Sequence, residues 1–232
     1  MKYMGSKARI AKHILPIMLK NRENDNQYFV EPFVGGANII EHVTGKRIGA
    51  DTNKYLVAML KAASLGWLPP KNFTEAQYKE LRLNKEKFPE ELVGYVGFAL
   101  SYGGKFFGGW CRDSAGNRNY VDEAYRNAVK QFPKLDGVEF VNCQYYELEI
   151  PANSIVYCDP PYKNTTSYSR DIFDYNHFYN YCRGVKALGH SVFVSEYNMP
   201  DDFTVVWEKE ISSSLTTDTG SKKATEKLFT LL

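Results

Sequence analysis

The chain has no long hydrophobic run. No stretch of its 232 residues approaches the roughly 18 uninterrupted apolar residues of a membrane span. Its amino terminus also lacks the apolar core of a secretory signal, so neither a membrane protein nor a secreted one is expected. Cysteine is sparse. The four present (Cys111, Cys143, Cys158, Cys182) are scattered without a close pair, which argues against a structural zinc site and suits reduced thiols in a cytoplasm. An excess of one charge is missing too: 29 basic and 27 acidic side chains leave a formal net charge of +2, so the whole chain is not a polycation. There is no internal repeat and no low-complexity segment. Apolar (44%) and charged (24%) fractions are ordinary, which leaves disordered and fibrous classes without support. The length allows one large domain, or one domain with an insertion, around a real core.

Charge is uneven along the chain. The first 22 residues hold Lys2, Lys7, Arg9, Lys12, Lys20 and Arg22 without an acid, and Lys222, Lys223 and Lys227 cluster near the other end. Such patches can meet phosphates, although a basic cluster is often only a solvated face.

The most informative stretch is Asp159-Pro160-Pro161-Tyr162, which closes the apolar run Ser154-Ile155-Val156-Tyr157-Cys158. β-branched and aromatic residues broken by an acid and two prolines predict a buried strand that ends abruptly. Each proline fixes its own φ and steers the residue before it away from helix, so the turn is stiff. It holds one carboxylate and one ring at a strand's carboxyl end, where open α/β sheets bind ligands. The plainer alternative is a proline-rich turn with a solvated aspartate.

Upstream, apolar spacing at Ile10, Ile14 and Met18 predicts a helix with Ser6 as its cap. Tyr28-Phe29-Val30 begins a strand, followed by Glu31-Pro32-Phe33-Val34-Gly35-Gly36-Ala37, and Ile39, Ile40 and Val43 predict a helix just beyond the glycines. Strand, glycine turn and helix together let backbone approach a ligand closely, where a side chain would intrude. A tight turn without chemical meaning is an equal alternative. The next strand, 46–51, ends on Asp51, placed either to accept bonds from ribose hydroxyls or to cap the helix 54–65, for which Asn53 is a second candidate.

From Gly66 the alternation of strand and helix stops. Residues 74–85, 89–102 and 121–132 predict three helices, and no strand of any length follows until 138–141, so 67–137 is expected as a helical insertion between parts 1–66 and 138–232 of one α/β domain. Inside it, the run from Ser101 to Arg112 interleaves four glycines with aromatic and basic residues, and Asn117 and Arg118 follow. A flexible backbone carrying Lys105, Arg112, Asn117 and Arg118 can enter a groove and pair with base edges. An irregular surface loop is the alternative. Beyond the insertion come strands at 138–141 and 154–159, a polar loop at 163–171, a helix at 175–188 closed by Gly189, and strands at 191–195, 203–207 and 227–232, with a basic loop at 216–225.

Taken together, Tyr3-Met4-Gly5-Ser6-Lys7, Phe29 to Gly36, Asp51, Gly109-Trp110-Cys111-Arg112 and Asp159-Pro160-Pro161-Tyr162 resemble the Dam-type DNA adenine-N6 methyltransferases of the D12 class. Their order covers nearly the whole chain. The resemblance implies an α/β fold, the Rossmann-like class I methyltransferase sheet, mostly parallel with an antiparallel last strand formed by the carboxyl terminus. It implies S-adenosyl-L-methionine as cofactor, double-stranded DNA as partner, and no obligatory protein partner. By the same resemblance, Tyr3, Lys7, Pro32, Phe33, Gly35, Gly36, Asp51 and Asp159 bind the cofactor. Tyr3 stands where the family usually has Trp. Asp159, Pro160 and Tyr162 are the expected catalytic turn, no metal is required, and Arg112 matches an arginine of the target-reading hairpin. The family's extension after that arginine is altered here. A cytoplasmic location in a bacterial cell or a phage-infected host is expected.

These residue types suit the chemistry. Adenine's exocyclic nitrogen is a poor nucleophile because its lone pair is delocalised into the ring, and the base must leave the stack before a methyl donor can reach it. Tyr162 can stack on the extruded ring while Asp159 and a backbone carbonyl of the proline turn accept the amino protons. Positioning and electrostatics then carry most of the rate. The alternatives are a cytosine-N4 or RNA amino-methyltransferase, a DNA-binding relative without catalysis, and a nicotinamide-dependent oxidoreductase, which would leave the proline turn and the insertion unexplained.

Overall fold

The structure is a computed structural model that describes residues 1–113, 115–162, 173–213 and 222–232. Among the described residues six α-helices, α1 (Ala11–Met18), α2 (Lys54–Ser64), α3 (Glu75–Leu83), α4 (Glu90–Ala99), α5 (Tyr120–Gln131) and α6 (Tyr175–Ala187), surround seven strands. The strands are β1 (Phe29–Glu31), β2 (Arg47–Asp51), β3 (Val138–Asn142), β4 (Ile155–Cys158), β5 (Ser191–Glu196), β6 (Phe203–Ser213) and β7 (Lys222–Leu231).

They form one sheet in the order β3-β2-β1-β4-β5-β7-β6. β1 to β5 pair in parallel, and β7 lies antiparallel between β5 and β6. Chain order reverses between β1 and β4, which makes the carboxyl ends of those two strands a switch point, the position at which open α/β sheets bind ligands.

Strand alternation assigns the two faces. Phe29, Ile155, Tyr157 and Leu228 point to one side and pack with α1, α2 and the helices of 67–137 in a single cluster. Val30, Val156, Cys158, Phe229 and Leu231 point to the other, against α6. The helices of the 67–137 segment thus share the core of the sheet's first face. Gly94 lets α4 cross α2 closely, because a Cβ there would strike the Tyr55 carbonyl.

Local chemistry explains most boundaries. Asn53 caps α2 by accepting the Leu56 N–H, and Thr74 with Gln77 forms a capping box on α3. Gly189, at φ +88°, closes the turn after α6. Three expectations are corrected. Ser6 does not cap α1, whose N-cap is Ile10; its Oγ accepts the Ala8 N–H at 3.3 Å in a preceding turn. No helix of length follows Gly36: a single 3₁₀ turn, Ile40–His42, gives way to extended Val43 and to Gly45 at φ +72°. The β-branched residues there fill the core instead of extending a helix. The last two strands are longer than their apolar runs, since β6 continues to Ser213 and β7 begins at Lys222, taking in part of the expected basic loop. Backbone pairing between β6 and β7 carries both past the apolar pattern. The rest of that loop, and the polar loop 163–171, lie outside the described residues.

Candidate functional site

Acids stand at the carboxyl ends of the strands around the switch point: Glu31 ends β1, Asp51 ends β2, and Asp159 follows β4. By alternation, Glu31 lies on the same sheet face as Phe29, Asp159 on that of Tyr157, and Glu226 on that of Leu228. Three carboxyls therefore converge on the α1 side of the sheet.

Lys7 reaches into this group from the turn before α1. Its Nζ lies 2.9 Å from Asp159 Oδ1, 3.4 Å from Glu226 Oε1, and 4.3 Å from the centre of the Tyr162 ring. The Tyr162 hydroxyl donates to Glu226, and its ring meets Tyr197 edge-on at 4.7 Å. Burial works against the Lys7 charge, but the two carboxylates outweigh it and hold the ammonium's pKa above its ordinary value. Burial pushes Asp159 up to about 6; Lys7 pulls it down, Glu226 pushes it further up, and the Tyr162 hydroxyl draws it back. Glu31 is raised well above the ordinary glutamate value, by burial first and then by Asp159. Among the described residues, Glu31 Oε1 and Asp159 Oδ1 lack a hydrogen-bond partner of good geometry, the Lys7 contact being an ion pair.

Tyr3 packs against the glycine turn. A Cβ on Gly36 would lie 2.6 Å from Tyr3 Cβ, and one on Gly35, at φ +47°, would lie 2.8 Å from the Tyr3 ring. What approaches this backbone closely is Tyr3. The same tyrosine packs on Phe98 of α4 at 5.4 Å, and its backbone lies 2.7 Å from where a Gly104 Cβ would stand. Asp51 Oδ2 accepts the Gly35 N–H at 3.3 Å and Oδ1 the Asn53 N–H at 2.9 Å. Burial raises the Asp51 pKa against those backbone bonds. Each carboxylate oxygen has a second lone pair, so the group retains acceptor capacity for a hydroxyl. Pro32 is buried, and Phe33 stacks on Tyr145 at 5.0 Å within an aromatic cluster shared with Phe173 and Phe178.

The expected DNA-contact residues lie on exposed backbone between α4 and α5. A β-bridge joins Ser101 to Trp110 and closes the glycine-rich loop, which bears exposed Lys105. Arg112 forks onto Glu75 at the start of α3, one contact being Nε to Oε2 at 3.1 Å. Hydrogen bonds from Arg112 and Lys79 hold Glu75 down at about 2. Arg118 pairs with Glu123 at 2.6 Å and lies over the Tyr120 ring, while the Asn117 N–H donates to Asp113 Oδ2 at 2.7 Å. The loop adjoins the site through Tyr3, since the Met4 N–H faces the Gly104 carbonyl at 3.4 Å. Sequence reasoning missed Glu226. It lies in a polar run (Lys222-Lys223-Ala224-Thr225-Glu226-Lys227), and only the period-two register with Leu228 could have marked it as inward-facing.

A mostly parallel sheet with one antiparallel strand next to its edge, and acids at the strand ends around the switch point, is a Rossmann-like α/β architecture. The family of D12 class N6 adenine-specific DNA methyltransferases matches residues 3–219, and the chain belongs to it. S-adenosylmethionine is the methyl donor of that class. No curated protein matches the chain. Among solved structures, the crystal structure of SMU.472, described as assigned to the methyltransferases and complexed with SAH, is similar at 14% identity with a TM-score of 0.40. The match covers 97% of this chain and 53% of that one, so the chain spans about half the length of that protein.

Proposed function

We propose that this protein transfers a methyl group from S-adenosylmethionine to the N6 amine of an adenine extruded from duplex DNA. The observation that supports this best is the convergence of Lys7, Asp159 and Tyr162 beside the β1–β4 switch point, within a chain of the adenine-specific family. The donor supplies a methyl group already activated on a sulfonium.

The chain's own residues do the rest. Asp51 receives a ribose through its spare acceptor capacity, and Tyr3 and the Gly35–Gly36 backbone form the adjoining wall. Tyr162 offers its ring to the extruded base. Asp159, ionised, accepts one amino proton, and a backbone carbonyl of the proline turn, Pro160 in this reading, accepts the second; the neighbouring Pro161 carbonyl receives the Tyr175 hydroxyl at 3.0 Å. Holding both protons frees the nitrogen lone pair for attack, and Asp159 is the base that takes the proton the methylated amine releases. Segment 67–137 reads the target, with Arg112 exchanging Glu75 for an edge of a base or a phosphate and with Lys105, Asn117 and Arg118 on the same exposed stretch.

The test is methylation of a substrate panel of duplex DNA, single-stranded DNA and RNA, with Asp159→Ala as control. Transfer to duplex DNA that disappears in the variant while DNA binding persists is expected. Transfer only to RNA, or an Asp159→Ala variant that still turns over, would overturn the reading.

A further inference from the structure

We propose that Glu226 on β7 is a positioning residue for methyl transfer, its buried carboxylate holding the Tyr162 phenol and sharing the Lys7 ammonium with Asp159 so that ring and acid are set as one unit. This rests on the methyltransferase reading above and adds to it a residue from the opposite end of the chain.

The placement is specific. Glu226 is 3% exposed on a strand whose next inward residue, Leu228, is fully buried. A leucine at 226 would complete an apolar face, whereas a buried charge carries a desolvation cost that its partners must compensate. Its partners both belong to the proposed site: the Tyr162 hydroxyl, which donates to Glu226 Oε1, and Lys7 Nζ, 3.4 Å from the same oxygen. A phenol donating to a carboxylate makes a charge-assisted bond, which fixes the roll of the ring. Tyr197 bounds that ring edge-on and Lys7 lies over its face, so three contacts define its plane before any base arrives. A ring fixed in advance spares the ordering that stacking would otherwise require.

The second consequence is electrostatic. The ionisable groups that bear on Asp159 come from several elements: Lys7 before α1, Glu31 on β1, Tyr157 on β4, Tyr162 in its own turn, and Glu226 on β7. Lys7 favours the ionised carboxyl and Glu226 opposes it. Removing the Glu226 charge therefore makes Asp159 more acidic.

The experiment compares the wild-type chain with Glu226→Ala, Glu226→Gln, Tyr162→Phe and the Glu226→Ala/Tyr162→Phe double variant, after circular dichroism shows that each is folded. Single-turnover transfer is measured against pH, with dissociation constants for S-adenosylmethionine and DNA. Glu226→Ala is expected to slow transfer about 10- to 100-fold with both dissociation constants within about threefold. Glu226→Gln keeps an acceptor for the phenol and recovers most of the rate, with the acid limb of its pH profile displaced to lower pH. In the double variant the two losses do not multiply, because both remove one contact. A Glu226→Ala rate within about twofold of wild type, or losses that multiply, would overturn the proposal. A wild-type chain that transfers no methyl group removes the methyltransferase reading instead. Carbon-13 NMR titration of the Asp159 carboxyl in wild type and Glu226→Gln then decides the Glu226 contact alone: a downward shift supports it, and an unchanged titration rejects it.

Discussion

Asp159 carries opposing demands, since burial raises its pKa to about 6 while the proposed chemistry needs it ionised. Transfer should therefore fall as pH drops through about 6, because the protonated acid no longer accepts the amino proton; a pH–rate profile under single-turnover conditions checks this. Stability should respond in the opposite sense. The folded carboxyl binds its proton more tightly than the unfolded one, so the native state loses stability as pH rises from about 4 to about 6 and keeps that deficit above it. Asp159→Asn has no charge to desolvate. It should abolish transfer yet raise stability by about 1–3 kcal/mol at pH 8, with the gain vanishing near pH 4 in denaturant titrations. Asp159 was legible in the sequence because two prolines and a preceding apolar strand frame it. Glu226 was not, because its burial comes from β7 entering the sheet between β5 and β6, and no local pattern encodes that neighbour.

At the scale of elements, the first strand–turn unit is held by packing of Tyr3 where a helix was expected. Gly104 sits at φ +69° with Tyr3 Cα 2.7 Å from the place a Cβ would take. Gly104→Ala should therefore destabilise the fold by about 1–3 kcal/mol, from backbone strain and from the clash together, as read by thermal unfolding. Gly184 is the contrast: it lies within α6, its Cβ would meet nothing within 4 Å, and its φ is ordinary. Gly184→Ala should stabilise by about 0.5–1 kcal/mol in the same measurement, since alanine loses less backbone entropy in a helix. The parallel strands β1, β2 and β4 were readable because each is a short run closed by an acid, Glu31 and Asp51 as last residues and Asp159 just beyond. The helix expected after Gly36 was misread because Ile39, Ile40 and Val43 have helical spacing, but Gly45 at φ +72° ends the segment before a second turn can form.

For the whole molecule, one cluster joins α1, α2, the helices of 67–137 and one face of the sheet. The exposed loop carrying Lys105 and Arg112 is thereby fixed relative to the turn that carries Asp159 and Tyr162. Tyr3 touches both the Gly35–Gly36 turn and the base of that loop, a link visible in no motif because its partners lie about 30 and 100 residues away. Arg112→Ala should relax target choice while cofactor affinity stays unchanged, which mapping of methylated positions and calorimetry with S-adenosylmethionine would show. Its tie to Glu75 is exposed and screened by salt, so exchanging it for DNA costs little. Adenine-N6 transfer is checked by incubating the chain with duplex DNA and S-adenosylmethionine labelled in the methyl group, then digesting the DNA to nucleosides. Label is expected in N6-methyladenosine as the deoxynucleoside; label in N4-methylcytosine, or none in DNA, would contradict adenine-N6 transfer by this site.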